Sequence, residues 1–348
     1  MNGLFLEYRD PLFSIIVFFS LIFIITFFSY LWGRYKRKED SRHLNKFLQQ
    51  FHAGPSQESI KNSMRNDTLP ENLWLLLANA YYKNGEYEKS IEIYNELLYK
   101  ADLLNRKEIM FLLGKTYFKA GFLERSKQIF LEILKVSPRT PQALHYLLLV
   151  YEYMREYKLA LDVLEPLDEL NEDVALECRY LKVLMILQDF SLREDEKIKK
   201  LLDLYDESKQ LTYMIFEYLF RVNPTLAWKY FDPQESETIS DILWNLHRKD
   251  VNLDIIAKDA YLKELYTAKG YVNLVEGSDI FELDLLIKLS TKANATLNFE
   301  YGCSTCKGVF PFAFHRCSQC HAIDTMYVEW SLGRDYSKDF SEENNSFQ

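Results

Sequence analysis

Three successive segments of the chain share one pattern of apolar, small and aromatic residues. The pattern occupies residues 74–94, 113–130 and 144–164. Its spacing is 36 residues from Tyr81 to Tyr117 and 34 residues from Tyr117 to Tyr151. Units of this length cannot bury an apolar face alone and must stack on their neighbours. The chain is therefore predicted to fold as a stack of helical hairpins.

The period and the residues within it are typical of the tetratricopeptide repeat, a helix–turn–helix unit. The two additional residues of the first interval are assigned to a loop at 101–108, and Pro138 ends the second unit. Small residues stand where the two helices of a unit would cross, at Ala78, Ser90, Gly114, Ser126 and Ala160.

Stacked repeats present a concave surface formed by the first helix of each unit. Such surfaces bind protein partners, so the repeat register also predicts contact residues. They are Asn72, Leu75, Asn79, Tyr82, Lys83, Phe111, Lys115, Phe118, Lys119, His145, Leu149 and Tyr153.

The N-terminal region contains a predicted membrane span. Residues 11–32 carry no charged side chain, and this length matches the roughly 20 residues that a bilayer requires. Basic residues follow this stretch at Arg34, Lys36, Arg37 and Lys38, and no small-residue cleavage site is present. We therefore expect an uncleaved single-pass anchor with the bulk of the chain in the cytoplasm and a short N-terminus outside it.

Four cysteines near the C-terminus form two Cys-x-x-Cys knuckles, Cys303 with Cys306 and Cys317 with Cys320. Each knuckle turns two sulfurs toward one point, so the pair predicts one tetrahedral site for Fe or Zn. Two disulfides are the alternative, but a cytoplasmic location and the odd fifth cysteine, Cys178, argue against them. Four thiolates complete the ligand sphere, so His315 and His321 are interpreted as neighbours.

Between the repeats and the knuckles the register fades. Helices are predicted at 174–190, 197–205, 210–221, 225–231, 236–247, 253–269 and 278–291. They are either degenerate repeats or a cap that ends the array. Strands are predicted at 296–301 and 324–330, on either side of the knuckles.

The predicted fold class is mostly α: a membrane-anchored tetratricopeptide-type helical solenoid with a small rubredoxin-like or zinc-ribbon β module. In chain order we expect an anchor (1–33), a linker with a degenerate first repeat (34–70), repeats (71–170), further helical hairpins or a cap (171–295), a four-cysteine metal-binding domain (296–332) and a disordered tail (333–348).

Several function classes are excluded by the sequence. The formal net charge of −9 provides no basic field for a phosphate backbone, so no nucleic-acid partner is expected. Gly114-Lys115-Thr116 looks like the end of a phosphate-binding loop, but Ile109 stands where that loop requires glycine. No catalytic motif is present, and the protein is predicted not to be an enzyme.

The order of these modules resembles the lipopolysaccharide assembly protein B family of Gram-negative bacteria. The resemblance is carried by residues 76–134, including the Ala-Asn-Ala-Tyr-Tyr-Lys-Asn-Gly and Leu-Gly-Lys-Thr-Tyr-Phe-Lys-Ala-Gly stretches, and by Tyr-x-Cys-x-x-Cys followed after ten residues by Cys-x-x-Cys. The chain departs from the family at its first repeat, which is truncated to residues 41–65, and at its middle repeats, which are shortened or lost. It also has Lys307 where the family usually has glycine after the first knuckle.

The resemblance implies a non-enzymatic adaptor of the bacterial inner membrane, with its metal domain packed against the repeats. The implied partners are the FtsH protease, the deacetylase that commits cells to lipid A synthesis, and proteins of lipopolysaccharide synthesis and transport. Two alternatives remain: a general tetratricopeptide adaptor for another envelope assembly, and a rubredoxin-like electron carrier.

Overall fold

The computed structural model describes residues 70–100, 103–289 and 295–334, together with Leu21, Phe27, Ile60, Lys61 and Met64. Apart from these single residues, the predicted anchor (1–33) and the linker up to residue 69 lie outside the described residues, as do residues 335–348 of the predicted tail. Within the described part, every helix is too short or too polar to cross a bilayer.

The described chain is mostly helical and ends in a small antiparallel sheet. It divides into two compact units, residues 1–116 and 117–348. The helices are α1 Glu71–Lys83, α2 Tyr87–Lys100, α3 Leu103–Lys119, α4 Leu123–Val136, α5 Pro141–Tyr153, α6 Tyr157–Asp162, α7 Leu164–Asp168, α8 Ala175–Gln188, α9 Glu194–Ser208, α10 Thr212–Val222, α11 Pro224–Tyr230, α12 Ser240–Asn245, α13 Leu253–Ile256, α14 Ala260–Ala268 and α15 Phe281–Leu289. Two 3₁₀ helices occupy Pro233–Ile239 and Arg248–Asp250, and the strands are β1 Ala295–Cys303, β2 Val309–Phe310 and β3 Met326–Arg334.

Helices α1 and α2 form the first hairpin, and small residues hold them together as the sequence predicts. Ala78 and Ser90 are fully buried, and the Ser90 hydroxyl donates to the Ala78 carbonyl at 2.9 Å. Because neither side chain extends far, the two backbones approach closely and the hydroxyl finds a partner inside the apolar contact.

Each repeat turns between its two helices through a residue in the left-handed backbone region. Gly85 and Gly121 have φ values of +79° and +80°. In the third repeat the equivalent residue is Arg155, with φ of +60°. The hydrogen bonds are the same at all three turns; at the third, the Arg155 N–H donates to the Glu152 carbonyl at 2.9 Å. This conformation is free of strain only for glycine.

The structure corrects several predicted boundaries. Helix α3 begins at Leu103, so most of the loop predicted at 101–108 is helical, because that segment contains neither glycine nor proline. The second helix of the third repeat is divided at Val163 into α6 and α7, since Pro166 has no N–H for the Asp162 carbonyl. Residues Gly333 and Arg334, predicted to belong to the tail, lie in β3.

The helices predicted at 236–247 and 253–269 are also wrong, because neither segment forms one continuous helix. The segment 253–269 is divided into α13 and α14, because the Asp259 side chain caps the Leu262 N–H at 2.8 Å and starts a new helix. The segment 236–247 is a 3₁₀ helix followed by α12.

The sheet has the strand order β2-β1-β3, with both pairs antiparallel. Its inner residue Leu297 belongs to the main apolar core of residues 117–348, which α8 to α15 supply. Gly302 lies directly against the Tyr327 ring, and a Cβ atom there would overlap it. The core therefore holds β1 against the helices, and the first knuckle begins at the end of this strand.

Candidate metal centre

The four cysteine sulfurs converge at one end of the sheet. Cys303 is the last residue of β1, Cys306 follows in the turn, and Cys317 and Cys320 lie in the second knuckle before β3. All four Sγ atoms lie within 4.8 Å of one another. Two pairs across the knuckles, Cys303 with Cys320 and Cys306 with Cys317, have Sγ atoms 3.6 Å apart.

These distances fit four ligands of one ion and do not fit disulfides. Tetrahedral coordination with metal–sulfur bonds of about 2.3 Å separates the sulfurs by about 3.8 Å. A disulfide would require about 2.05 Å, and all five cysteines are free. The alternative of two disulfides is therefore wrong for this arrangement. The donor set suits Zn or Fe equally, so the structure supports a metal site without identifying the metal.

The two knuckles repeat one backbone design. In the first, the Cys303 N–H donates to the Gly308 carbonyl and the Lys307 N–H to the Cys303 carbonyl, both at 2.9 Å. In the second, the His321 N–H donates to the Cys317 carbonyl at 2.9 Å. Lys307 and His321 have φ values of +60° and +64°, the left-handed region that favours glycine. Lys307 is the position at which the resembled family usually has glycine.

The thiols are electrostatically unequal. Burial raises the pKa of Cys303, but hydrogen bonds from Thr325 Oγ1 and from backbone N–H groups of the knuckle outweigh it and lower the pKa to about 6. At Cys320 the Ala322 N–H lowers the pKa, but burial and the neighbouring thiols raise it to about 12. Four negative charges held this close repel one another, and a bound cation would relieve that repulsion.

Neither nearby histidine belongs to the cysteine cluster. His315 Nε2 lies 3.1 Å from Glu217 Oε2, and the His321 ring packs edge-on against Phe118 at 5.9 Å between centroids. Among the described residues, the group able to hold a metal consists of the four cysteines.

A buried ion-pair network joins the second knuckle to helices α5 and α8. Arg316 makes a bidentate bond with Glu177, at 3.0 and 2.6 Å, and its Nη2 lies 2.8 Å from Glu152 Oε2. Its guanidinium lies over the Tyr180 ring at 4.9 Å, and the Tyr180 hydroxyl donates to Glu152 at 3.0 Å. Burial raises the pKa of Glu152, whereas the two carboxylates overcome burial and raise the pKa of Arg316.

These residues were not predicted as part of the site. The sequence gives one indication that Glu152 is buried, because it is the acidic residue in the otherwise apolar segment 147–153 of α5. A charge in such a run requires a buried counter-charge. Nothing local identifies Arg316 as that partner, since it lies 139 residues from Glu177.

The predicted partner-binding residues are distributed over three environments. Asn72, Asn79, Lys83, His145 and Tyr153 are exposed, Leu75, Tyr82, Phe111, Lys115 and Lys119 are half-buried, and Phe118 and Leu149 are buried. Phe118 is buried because its ring packs against Tyr146, Tyr153 and His321. Lys119 donates to the Ser318 carbonyl at 3.2 Å. The second knuckle therefore covers part of the predicted repeat face.

A pocket of about 380 Å³ remains open beside the knuckle on this face. The predicted contact residues His145 and Leu149 line it, and the rest of the lining comes from α5, α8 and the second knuckle. The other lining residues are Tyr146, Leu148, Glu177, Arg316, Cys320, His321 and Ala322.

A comparison with protein families supports the repeat assignment for the first hairpin. Residues 71–99 match the family described as Tetratricopeptide repeat. A tetratricopeptide repeat protein from Parabacteroides merdae is 18% identical and covers 73% of this chain and 98% of its own, with a TM-score of 0.39. MamA from Desulfovibrio magneticus is 19% identical and covers 49% of this chain and 95% of its own, with a TM-score of 0.38.

YrrB, described as a TPR protein with an unusual peptide-binding site, is 17% identical, and the match covers 62% of this chain and 100% of YrrB, with a TM-score of 0.33. A comparison with curated proteins gave no significant match. The chain thus combines a tetratricopeptide repeat match at residues 71–99 with further helices and a four-cysteine C-terminal module.

Proposed function

We propose that this protein is a non-enzymatic adaptor of the bacterial inner membrane that binds a protein partner at the face shared by its repeats and its metal module. The pocket beside the second knuckle supports this proposal. It combines exposed His145 and apolar Leu149 from α5 with the charged Glu177 from α8. Tetratricopeptide arrays use such faces to bind proteins.

The specific role that we propose is regulation of lipopolysaccharide biosynthesis. In this role the adaptor presents the deacetylase that commits cells to lipid A synthesis to the FtsH protease, and it contacts proteins of lipopolysaccharide synthesis and transport. The support is the resemblance in module order and in residues 76–134, together with the paired knuckles. The predicted span at 11–32 would keep the chain beside a membrane protease.

Site-specific photo-crosslinking in intact cells tests the proposal. A photoreactive amino acid at His145 should capture the partner, because this side chain lines the pocket and is 46% exposed. The same amino acid at Phe190 is the matched control, because that side chain is 96% exposed and does not line the pocket.

Mass spectrometry of the crosslinked product separates the candidate roles. Recovery of FtsH or the deacetylase from His145 alone supports the role in lipopolysaccharide regulation, and depletion of the protein should then change the level of the deacetylase. Recovery of a different envelope protein supports a general adaptor. Equal products from both positions would contradict partner binding at the pocket.

A further inference from the structure

Arg316 occupies a buried position between the second knuckle and two helices of the 117–348 unit. Its side chain is 5% exposed, and the side chains of Glu152 and Glu177 are 10% and 23% exposed. Helix α5 provides Glu152 and helix α8 provides Glu177. One guanidinium therefore pairs with two carboxylates that belong to different helices.

The two carboxylates depend on this arginine. In the part of the chain that the structure describes, Arg316 is the cation paired with Glu152 and Glu177, and the Tyr180 hydroxyl adds a neutral hydrogen bond to Glu152. Removal of one partner from a buried pair leaves an uncompensated charge, which is strongly destabilising. Without Arg316, the contact between α5 and α8 would bring two like charges together in a poorly solvated place.

The knuckle in turn fixes the position of Arg316. The residue immediately precedes Cys317, and its Nη1 donates to the His321 carbonyl at 2.8 Å. Both ends of the second knuckle therefore hold the guanidinium. A module with this short sheet and four convergent thiolates is expected to order its knuckles only when a metal is bound.

We propose that Arg316 couples metal binding at the four cysteines to the side-chain contact between α5 and α8, which it bridges through Glu152 and Glu177, so that the metal controls the face that carries the pocket. The proposal deepens the function proposed above, on which its biological meaning depends. The physical coupling itself needs no partner, and its test therefore uses the full-length protein alone in detergent.

Hydrogen exchange of the metal-loaded and chelator-treated proteins measures the coupling. We expect chelation to accelerate amide exchange in α5 and α8 by about tenfold or more, because the knuckle releases Arg316 and leaves the carboxylates unpaired. Unchanged exchange in both helices after complete removal of the metal would overturn the proposal.

Variants then assign the coupling to Arg316. Arg316→Gln retains all four cysteines, so we expect one metal per chain but fast exchange in α5 and α8 even with metal bound. Arg193→Gln is the matched control, because Arg193 is 79% exposed and its pair with Glu196 is long, at 3.8 Å. Slow exchange in metal-loaded Arg316→Gln would contradict the role of Arg316.

A second variant covers the case in which Arg316→Gln does not fold. Glu152→Gln combined with Glu177→Gln removes the charges that need the arginine, so chelation should accelerate exchange in α5 and α8 much less than in the wild type. Equal sensitivity to chelation in this double variant would overturn the proposal. Failure of the crosslinking experiment alone would leave this result unaffected and would instead remove the proposed partner role.

Discussion

At the scale of single residues, one of the three left-handed repeat turns is occupied by a residue other than glycine. Gly85 and Gly121 occupy two of the three repeat turns without strain, whereas Arg155 adopts the same conformation with a side chain. A left-handed backbone costs about 1–2 kcal/mol for a residue with a Cβ atom. The hydrogen bonds of the third turn match those of the others, so the fold imposes the conformation on Arg155.

We therefore expect Arg155→Gly to stabilise the folded protein by roughly 0.5–1 kcal/mol. Relief of the strain outweighs the greater backbone entropy of glycine in the unfolded chain, which is about 0.4–1 kcal/mol. Chemical denaturation of the two proteins measures the difference. Lys200→Gly, at an exposed position inside α9, should instead destabilise by about 1 kcal/mol. A loss of stability in Arg155→Gly would contradict the assignment of strain.

At the scale of elements, buried polar contacts attach the sheet to the helices. Asp241, in α12, is 4% exposed, and its Oδ2 accepts hydrogen bonds from the Tyr213 hydroxyl at 2.6 Å and the Tyr301 hydroxyl at 2.9 Å. Tyr301 lies in β1 and Tyr213 in α10. Burial raises the pKa of Asp241 above its ordinary value of 3.8, although the tyrosine hydrogen bonds oppose the shift.

Replacement of Tyr213 by Phe should destabilise the protein at neutral pH by about 1–3 kcal/mol, because Asp241 loses a hydrogen-bond donor for its buried charge.

This loss of stability should depend on pH. A carboxyl group whose pKa is raised in the folded state stabilises folding below pH 3.8, and this contribution is lost as the pH rises through the folded pKa. The variant raises that pKa further, so its deficit relative to the wild type should shrink on acidification toward pH 4. Denaturation at several pH values measures this, with Tyr230→Phe at an exposed position as control. A deficit independent of pH would exclude Asp241 as the cause.

The cysteine quartet makes the C-terminal module dependent on its metal. Serine at both Cys303 and Cys306 should abolish metal binding and unfold the module, because the metal-binding energy is folding energy. Elemental analysis and the dispersion of the β1 and β3 amide signals measure the two effects. Cys178→Ser, in α8 and outside the cluster, should retain one metal per chain. Full metal occupancy in the double serine variant would refute the ligand assignment.

The repeats and the knuckles could be predicted because their signals are local. Helical period identifies Tyr81, Tyr117 and Tyr151, and the Cys-x-x-Cys spacing identifies the ligands. The break at Asp259 was missed because apolar periodicity continued across it, although aspartate is a common N-cap. The Arg316–Glu177 contact joins residues 139 positions apart, and no local pattern encodes such a pairing.

At the scale of the whole molecule, the proposed function requires attachment to a membrane. The span predicted at 11–32 lies outside the described residues, so its support is the uncharged stretch and the basic residues that follow. Among the described residues, every buried apolar side chain lies after residue 59.

Deletion of residues 1–33 should release the protein into the soluble fraction with its helices intact, because the apolar span would be removed while both cores remain. Fractionation and circular dichroism measure location and folding, and the deacetylase level in cells measures activity. We expect activity to be lost and to return when an unrelated single-pass anchor is fused in the same orientation. Full activity of the soluble form would mean that the anchor is dispensable.

The two knuckles each place one cysteine inside the protein and one near its surface. Cys303 and Cys317 are fully buried, whereas Cys306 and Cys320 are partly accessible. A peroxide would therefore reach the two outer sulfurs first and begin their oxidation to sulfenic acid. Each outer sulfur lies 3.6 Å from a buried sulfur of the opposite knuckle. The buried thiol would therefore displace water from the sulfenic acid and form a disulfide between the two knuckles. The same geometry that favours a bound ion thus also defines the route by which oxidative stress would expel it.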